Sequence, residues 1–467
     1  MPIQIIYIDI ILTMNFIDRH DEIRRLDDAM SRPRGFGVLW GRRRVGKTRL
    51  LTEWCQHNDG VYAVADQSGP VLQRRYLASA LALRLPGFDE VEYPDWQALL
   101  RRLDRDADSH GWRGPLIVDE LPYLVAAEPE ILAVLQNWLD SPTRQVGFVV
   151  CGSSMRMMHS AVLDSGAPLY GRASEAFGVH PLRPGFLADV FPRASARELV
   201  SAYAVWGGMP RYWELAEPFG AASSEVVDSL VLDPRSPLHR EPDRLLQAET
   251  PTATALRPLL DVIGNGAHRV SEIAGRLGRQ ASSLAGPLAA LGEMGLIRRE
   301  TPFGSDPKSG KRSLYQIADP FLRFWFRVVA PNRSLLAAAP RETRLAIWQR
   351  HRAQLEAYAW EELCRMAVPN LHRVVPAITA FGPLGEGQRY WRGNDPELDI
   401  VARSVTGRGI LIGEAKWSTT GGRPDVPRLG ALVADADTPI WSFLFTPDPS
   451  PDSAEVVDAR MVLQALR

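Results

Sequence analysis

From Asn15 to about Val179, short apolar runs alternate with amphipathic stretches. "GFGVLW" (35–40), "VYAVAD" (61–66), "PLIVDE" (115–120) and "QVGFVVCG" (145–152) have the length and near-continuous apolar character of buried strands. Between them lie helical patterns such as "EPEILAVLQNWLD" (128–140). That alternation predicts an α/β core over 15–180. From 181 to 248 the pattern is helical, punctuated by "WGGMPRYW" (206–213). Over 249–318, "ATALRPLLDVIG", "RVSEIAGRLG" and "ASSLAGPLAALGEMGLIRRE" read as three short amphipathic helices. A hairpin pattern, "TPFGSDPKSGKRSLYQIAD", follows them. Three helices and a hairpin are the layout of a winged helix-turn-helix. An aromatic-rich connector helix is expected over 319–351, and a second α/β region over 352–467. The opening "MPIQIIYIDIILTM" (1–14) is apolar but broken by Asp9. It is read either as an added edge strand or as sequence upstream of a start at Met14.

At 467 residues the chain exceeds what one hydrophobic core organises, so two to four domains are expected. A formal net charge of -1 gives no global reason to seek nucleic acid or membrane, so any such affinity is local. The apolar start is shorter than the roughly 20 residues of a membrane helix and lacks a basic flank, so no membrane partner is expected. Cys55, Cys151 and Cys364 stand far apart, form no metal-ligand spacing, and fit a reducing cytoplasm. One imbalance is informative. Of 54 basic residues only Lys47, Lys308, Lys311 and Lys416 are lysines. Lysine and arginine are not interchangeable where chemistry needs a compact ammonium.

Lys47 lies in "GRRRVGKT" (41–48), a P-loop pattern preceded by an apolar strand and followed by helical sequence. Gly41, Arg42, Arg43, Arg44, Val45, Gly46, Lys47, Thr48 and Arg49 would surround the phosphates of ATP. Glycines let backbone N–H groups face phosphate oxygens at a helix N-terminus. Lys47 would reach the β- and γ-phosphates and Thr48 would ligate Mg²⁺. "LIVDE" (116–120) supplies the partner: Asp119 to hold Mg²⁺ and Glu120 to act as general base on the attacking water. Ser153, after the strand "VGFVVCGSS", is a candidate sensor of the γ-phosphate.

"FIDRHDEIRRL", "GRRRVGKT", "VDE", "CGSS", "PLYGR" and "GGMPRY" occur in that order. Together they resemble the archaeal-type ATPases of the STAND group, relatives of the AAA+ and Orc/Cdc ATPases. The resemblance spans nearly the whole chain. It implies that Phe16, Ile17 and Arg19 contact the nucleotide base, with His20 standing where the family usually has glutamate. It also implies that Gly208 and Pro210 set a helical lid, and that Arg172 is a sensor arginine or one supplied in trans within a homo-oligomer.

Residues 251–330 hold eleven Arg or Lys and six Asp or Glu, a local excess of basic charge. A winged helix so charged is expected to lie along DNA. Arg279, Gln280, Ser282 and Ser283 would open its recognition helix, and Arg298, Arg299, Lys308, Lys311 and Arg312 would surround the wing. Packing of this module against the rest of the protein is the alternative.

Lys416 ends "LIGEAKW" (411–417), downstream of "ELDIVARS" with Asp399. Strand alternation puts Glu414 and Lys416 on one face. Two carboxylates and an ammonium there can hold Mg²⁺ and activate water against a phosphodiester. An exposed ion pair on a strand is the plainer reading of E-x-K. With "DPFLRFW" upstream, the pattern resembles the PD-(D/E)xK, restriction-endonuclease-like domain attached to such ATPases. That fold implies a further acidic ligand on its first helix, Glu361 or else Glu362. The sequence therefore points to an ATP-hydrolysing, DNA-acting protein with a possible metal-dependent nuclease domain. The alternative is a signalling switch whose C-terminal domain binds without cutting.

Overall fold

The apolar runs of the N-terminal region form a five-stranded parallel sheet. Its strands are β1 (Phe36–Trp40), β2 (Val61–Val64), β3 (Leu116–Asp119), β4 (Phe148–Gly152) and β5 (Glu175–Gly178). The computed structural model describes residues 14–249, 253–306, 312–379, 381–393, 395–407, 409–418, 430, 432–434, 438–448 and 455–467. The apolar opening before Met14 lies outside them. No helix among the described residues is long and apolar enough to cross a membrane. By internal packing the chain divides into Phe16–Pro181 and a second unit containing Leu182–Arg467.

In the first unit the strand order is β2-β3-β4-β1-β5. Residues of β1, β3 and β4 are almost wholly buried, which explains their lack of alternation. Phe36 stacks on Phe148 at 5.6 Å between centroids, and Trp138 meets Phe148 edge-on at 5.1 Å. The expected helix over 128–140 forms at Ile131–Asp140. Because the sheet is parallel, the carboxyl ends of β1, β3 and β4 share one edge, where α/β folds place ligands. β5 is an element the pattern did not predict. It is four residues long, half-exposed, and extended only because β1 offers it a parallel edge.

The second unit opens with helices. Ala196–Trp206 begins at a capping box in which Ser195 and Glu198 satisfy each other's backbone. Gly207 turns the chain at φ 58°, and a Cβ there would sit 3.0 Å from Pro320 Cδ. Pro210 then starts the helix Pro210–Ala216, its missing N–H costing nothing in the first turn. Trp206, Trp213, Trp325, Trp348 and Trp360 are fully buried in this unit. Arg344 grips buried Asp228 with Nε and Nη2 at 2.7 and 2.8 Å.

Three short helices, Arg257–Gly264, Val270–Leu277 and Ala285–Glu293, precede an antiparallel hairpin. Its strands are β6 (Ile297–Glu300) and β7 (Leu314–Ile317). A 27-residue helix, Arg341–Ala367, runs straight through the boundary expected between residues 351 and 352. Nothing in its sequence stops it there, since the stretch lacks an internal glycine or proline. The C-terminal sheet contains β8 (Gln388–Tyr390), β9 (Leu398–Arg403), β10 (Ile410–Ala415), β11 (Ile440–Phe445) and β12 (Val456–Val457). Its order is β12-β11-β10-β9-β8, with β10, β11 and β12 parallel and the pairs β8/β9 and β9/β10 antiparallel. Trp360 donates its indole N–H to the Phe445 carbonyl at 3.2 Å, fixing the long helix on this sheet.

Candidate functional site

β1 ends at Trp40, and the chain turns at Gly41 because a Cβ there would lie 2.6 Å from the Val179 carbonyl oxygen. Gly46, at φ 96°, immediately precedes the helix Lys47–His57. Arg44 is left-handed at φ 68° and Glu120 at φ 58°. Non-glycine residues held there cost of order 1–3 kcal/mol each and collect at working sites. Asp18, Arg34 and Asp59 share this conformation, so the strain accompanies the two motif segments without singling them out.

Lys47 is buried, and its ammonium donates to the carbonyls of Gly41 and Arg42 at 2.7 and 3.1 Å. A third donation, to Ser153 Oγ, is 2.8 Å long. Ser153 Oγ in turn donates to Glu120 Oε1 at 2.6 Å, and the Ser153 N–H reaches Glu120 Oε2 at 3.3 Å. Thr48 donates to Asp119 Oδ2 at 3.0 Å. Tyr62 donates to the same oxygen at 2.6 Å, and burial, with Asp119 beside it, pushes the phenol far above its ordinary pKa. Tyr62 stays protonated and orients the carboxylate, a role the sequence reading missed. Only its placement on β2 beside β3 could have revealed it.

Arg19, expected at the base, is buried and braces the loop. Its Nη2 donates to the Val45 carbonyl at 2.7 Å and its Nη1 holds Glu22 at 2.8 Å. Phe16 and Ile17 are half-buried beside it, with the Arg49 guanidinium 5.8 Å from the Phe16 ring centre. Arg43 donates to the Tyr123 hydroxyl at 2.8 Å. Arg172 does not reach the loop: Nε and Nη2 form a bidentate pair with Asp140 at 2.8 and 2.7 Å. Pro210 belongs to the second unit.

The donor set suits a magnesium nucleotide. It contains one buried ammonium, backbone N–H groups at a helix start, and a hydroxyl beside a carboxylate, all hard oxygen or cationic groups. Ser153 is the hinge of this set, bonded to both Lys47 and Glu120. Ser153→Ala should slow ATP hydrolysis by about tenfold or more, since hydrogen bonds to charged groups are worth about 1.5–3 kcal/mol. Steady-state phosphate release measures it, and an unchanged rate would mean the serine only fills space.

In the second unit Asp399, Glu414, Lys416 and Glu361 come to one end of β9 and β10. Lys416 and Glu414 pair at 2.5 Å, on the common face that alternation predicts. Asp399 Oδ2 accepts the Ala415 N–H at 3.0 Å. Glu361, on the long helix, faces Arg365 at 3.6 Å, and Arg365 also donates to the Asp399 carbonyl at 3.2 Å. Burial first, and Asp399 second, raise the Glu361 pKa against the pull of Arg365. The expected metal set of Glu361, Asp399 and Glu414 does not converge: among the described residues no three His, Cys, Asp or Glu side chains gather to hold a metal. Each carboxylate is already engaged by a protein cation or N–H.

The basic module also departs from expectation. Arg298 does not surround the wing. It is paired with buried Glu362 and donates to the Tyr358 hydroxyl at 3.3 Å. Arg323 holds the other Glu362 oxygen at 2.9 Å. Glu362 is thus a structural counter-ion and Arg298 its partner. Arg279, Gln280, Ser282 and Ser283 are exposed, as is Arg299, whose Nε donates to Ser313 Oγ at 2.7 Å. Lys308 and Lys311 lie outside the described residues.

Residues 16–215 match the model of an ATPase domain predominantly from Archaea. Residues 325–424 match a family of archaeal and bacterial proteins of unknown function. An uncharacterized protein of Methanocaldococcus jannaschii is 28% identical over 409 residues, covering 86% of this chain and 87% of its own. The Walker-type ATPase of Pyrococcus abyssi superposes with a TM-score of 0.53 at 21% identity, over 67% of this chain and 96% of that one, a likeness of fold. The ORC2 protein of Aeropyrum pernix reaches a TM-score of 0.43 at 12% identity, over 73% and 96% of the two chains, too low to bear on this chain. Residues 16–215 are thus similar to an archaeal-type ATPase domain, and the P-loop of residues 41–48 lies within the matched segment.

Proposed function

We propose that the protein is an ATP-driven switch of the STAND type that acts on DNA. The observation that carries this reading is the chain Lys47–Ser153–Glu120, which links the phosphate-binding ammonium to the general base through one hydroxyl. Lys47 and the N–H groups that open the helix Lys47–His57 would bind the triphosphate, and Thr48 and Asp119 would hold Mg²⁺. Bound there, the metal would neutralise charge on the β- and γ-phosphates. Glu120 would orient the attacking water and take its proton. Replacement of the Ser153 link by contacts to the γ-phosphate is how the site would report its occupancy. The module over 249–318, read as a winged helix, would contact DNA through Arg279 and the exposed turn at Ser282 and Ser283. ATP turnover should rise on the order of tenfold with DNA, the size of an ordinary coupling energy. Turnover indifferent to single-stranded and duplex DNA would remove DNA from this function.

A second reading makes the C-terminal domain a metal-dependent nuclease. It is supported by the placement of Asp399, Glu414 and Lys416 at one strand end with Glu361 on the neighbouring helix, although these carboxylates do not gather into a ligand set. Engagement of these carboxylates by Lys416, Arg365 and the Ala415 N–H favours the first reading, in which the domain binds without cutting. Supercoiled plasmid incubated with the protein, ATP and Mg²⁺ or Mn²⁺ should remain uncut. Nicking by the wild type that disappears in both Asp399→Ala and Lys416→Ala would instead establish the second reading.

A further inference from the structure

We propose that a cup between the β6–β7 hairpin and the C-terminal sheet binds one unstacked nucleotide of a single-stranded nucleic acid. The cavity is about 190 Å³, lined by Phe303, Tyr390, Trp391, Arg312, Arg392 and Arg403 together with small or apolar groups and, among the described residues, by no carboxylate. Its floor is rigid. Tyr390 and Trp391 are buried, and the Tyr390 hydroxyl donates to Asp395 at 3.1 Å. Its two walls are joined by the Trp391 indole N–H on the Arg312 carbonyl at 3.2 Å and the Phe303 N–H on the Arg389 carbonyl at 2.8 Å.

The rim is cationic. Arg312, Arg392 and Arg403 are exposed, and among the described residues none is held in an ion pair, whereas Arg298, Arg323, Arg344, Arg365 and Arg389 of the same unit all are. Arg403 lies 5.9 Å from the Phe303 ring centre. Guanidinium groups around aromatic rings select a phosphate joined to a flat π-face, the combination a nucleotide unit presents. The size sets the rest. The cavity falls below the roughly 300–1,000 Å³ of clefts for drug-sized ligands, so it takes a single planar group. A base inside a duplex is stacked and paired and cannot enter; a base in a single strand can.

This inference deepens the DNA-acting reading and rests on it. The test uses the full chain without ATP, a labelled single-stranded oligonucleotide, and a blunt duplex of the same length. The strand should bind on the order of tenfold tighter than the duplex. The double variant Arg392→Gln/Arg403→Gln should bind the strand about tenfold or more weaker, its salt slope falling by about 1.4 for two lost phosphate contacts. Phe303→Ala should weaken strand binding at an unchanged salt slope, because stacking releases no counterions. Arg75→Gln/Arg105→Gln, two exposed arginines elsewhere, is the charge-matched control and should bind as wild type does. Strand binding unaltered in the Arg392/Arg403 variant, or equal competition by inorganic phosphate and by the strand, overturns the cup. Tight duplex binding without strand binding overturns it too, yet leaves the DNA-acting reading standing. Binding to neither removes both.

Discussion

Glu120→Gln is expected to lower the rate of ATP hydrolysis by about 10²–10³-fold while ATP still binds, because a positioned general base contributes about 10²–10⁴-fold. The amide keeps the shape and can still accept from Ser153, but it cannot take a proton from water. Lys47→Ala should act differently and remove binding itself. The ammonium is buried and already held by three oxygens, so it is pre-aimed at phosphate rather than recruited from solvent. Equilibrium binding of labelled ATP, followed by a single-turnover rate, separates the two effects. Equal turnover by Glu120→Gln and wild type would strip Glu120 of its role and leave Ser153 without a partner to relay.

Glu362→Ala should be the most destabilising single change in the second unit. Its carboxylate is buried and receives Arg298 from β6 and Arg323 from the helix Pro320–Phe324. Removing it strands two guanidinium groups, and breaking a buried pair in this way costs about 3–5 kcal/mol. Burial alone would raise the Glu362 pKa, but Arg298 and then Arg323 more than reverse this and hold it at about 2, below its ordinary 4.5. The depression has the sign expected of a stabilising pair, since it means that the folded state favours the ionised carboxylate. A folded-state pKa below the unfolded one stabilises fully above the unfolded value. The contribution is therefore present above pH 4.5 and lost as pH falls toward 2. Urea unfolding followed by tryptophan fluorescence should show a lower midpoint for Glu362→Ala at neutral pH, with the gap from wild type closing over that acid window. A midpoint equal to that of wild type at pH 7 would show the pair to be energetically idle.

The contrast between Lys47 and Arg298 explains what the sequence could reveal. Lys47 is legible because phosphate binding demands particular residues at adjacent positions, between a strand and a helix whose periodicities are themselves visible. Asp119, Glu120 and Ser153 are legible for a related reason: each follows a buried strand, and parallel strands bring their carboxyl ends to one edge. Arg298 is legible only as a charge. Whether that charge faces solvent depends on Glu362, 64 residues later on the long helix, and local charge balance contains no such information. The bracing contact of Arg19 is illegible for a similar reason, since its partner is a backbone carbonyl of Val45, and backbone acceptors leave no trace in residue identity. β5 is too short and too mixed to show a period, and it owes its conformation to β1. The C-terminal pattern around Lys416 correctly anticipated a shared face with Glu414, while the engagement of Glu361 by Arg365 depended on how the long helix lies across the sheet.

Coupling between nucleotide and DNA is the central claim, and Glu120→Gln allows it to be measured at equilibrium, because the variant should hold ATP without consuming it. The measurement is the affinity of that variant for single-stranded and duplex DNA at fixed salt, with and without saturating ATP and Mg²⁺. An ATP-driven switch predicts a change on the order of tenfold in at least one of the two affinities, with the same factor appearing reciprocally in ATP affinity when DNA is present. DNA affinities identical with and without ATP, in a variant shown to bind it, would contradict the switch.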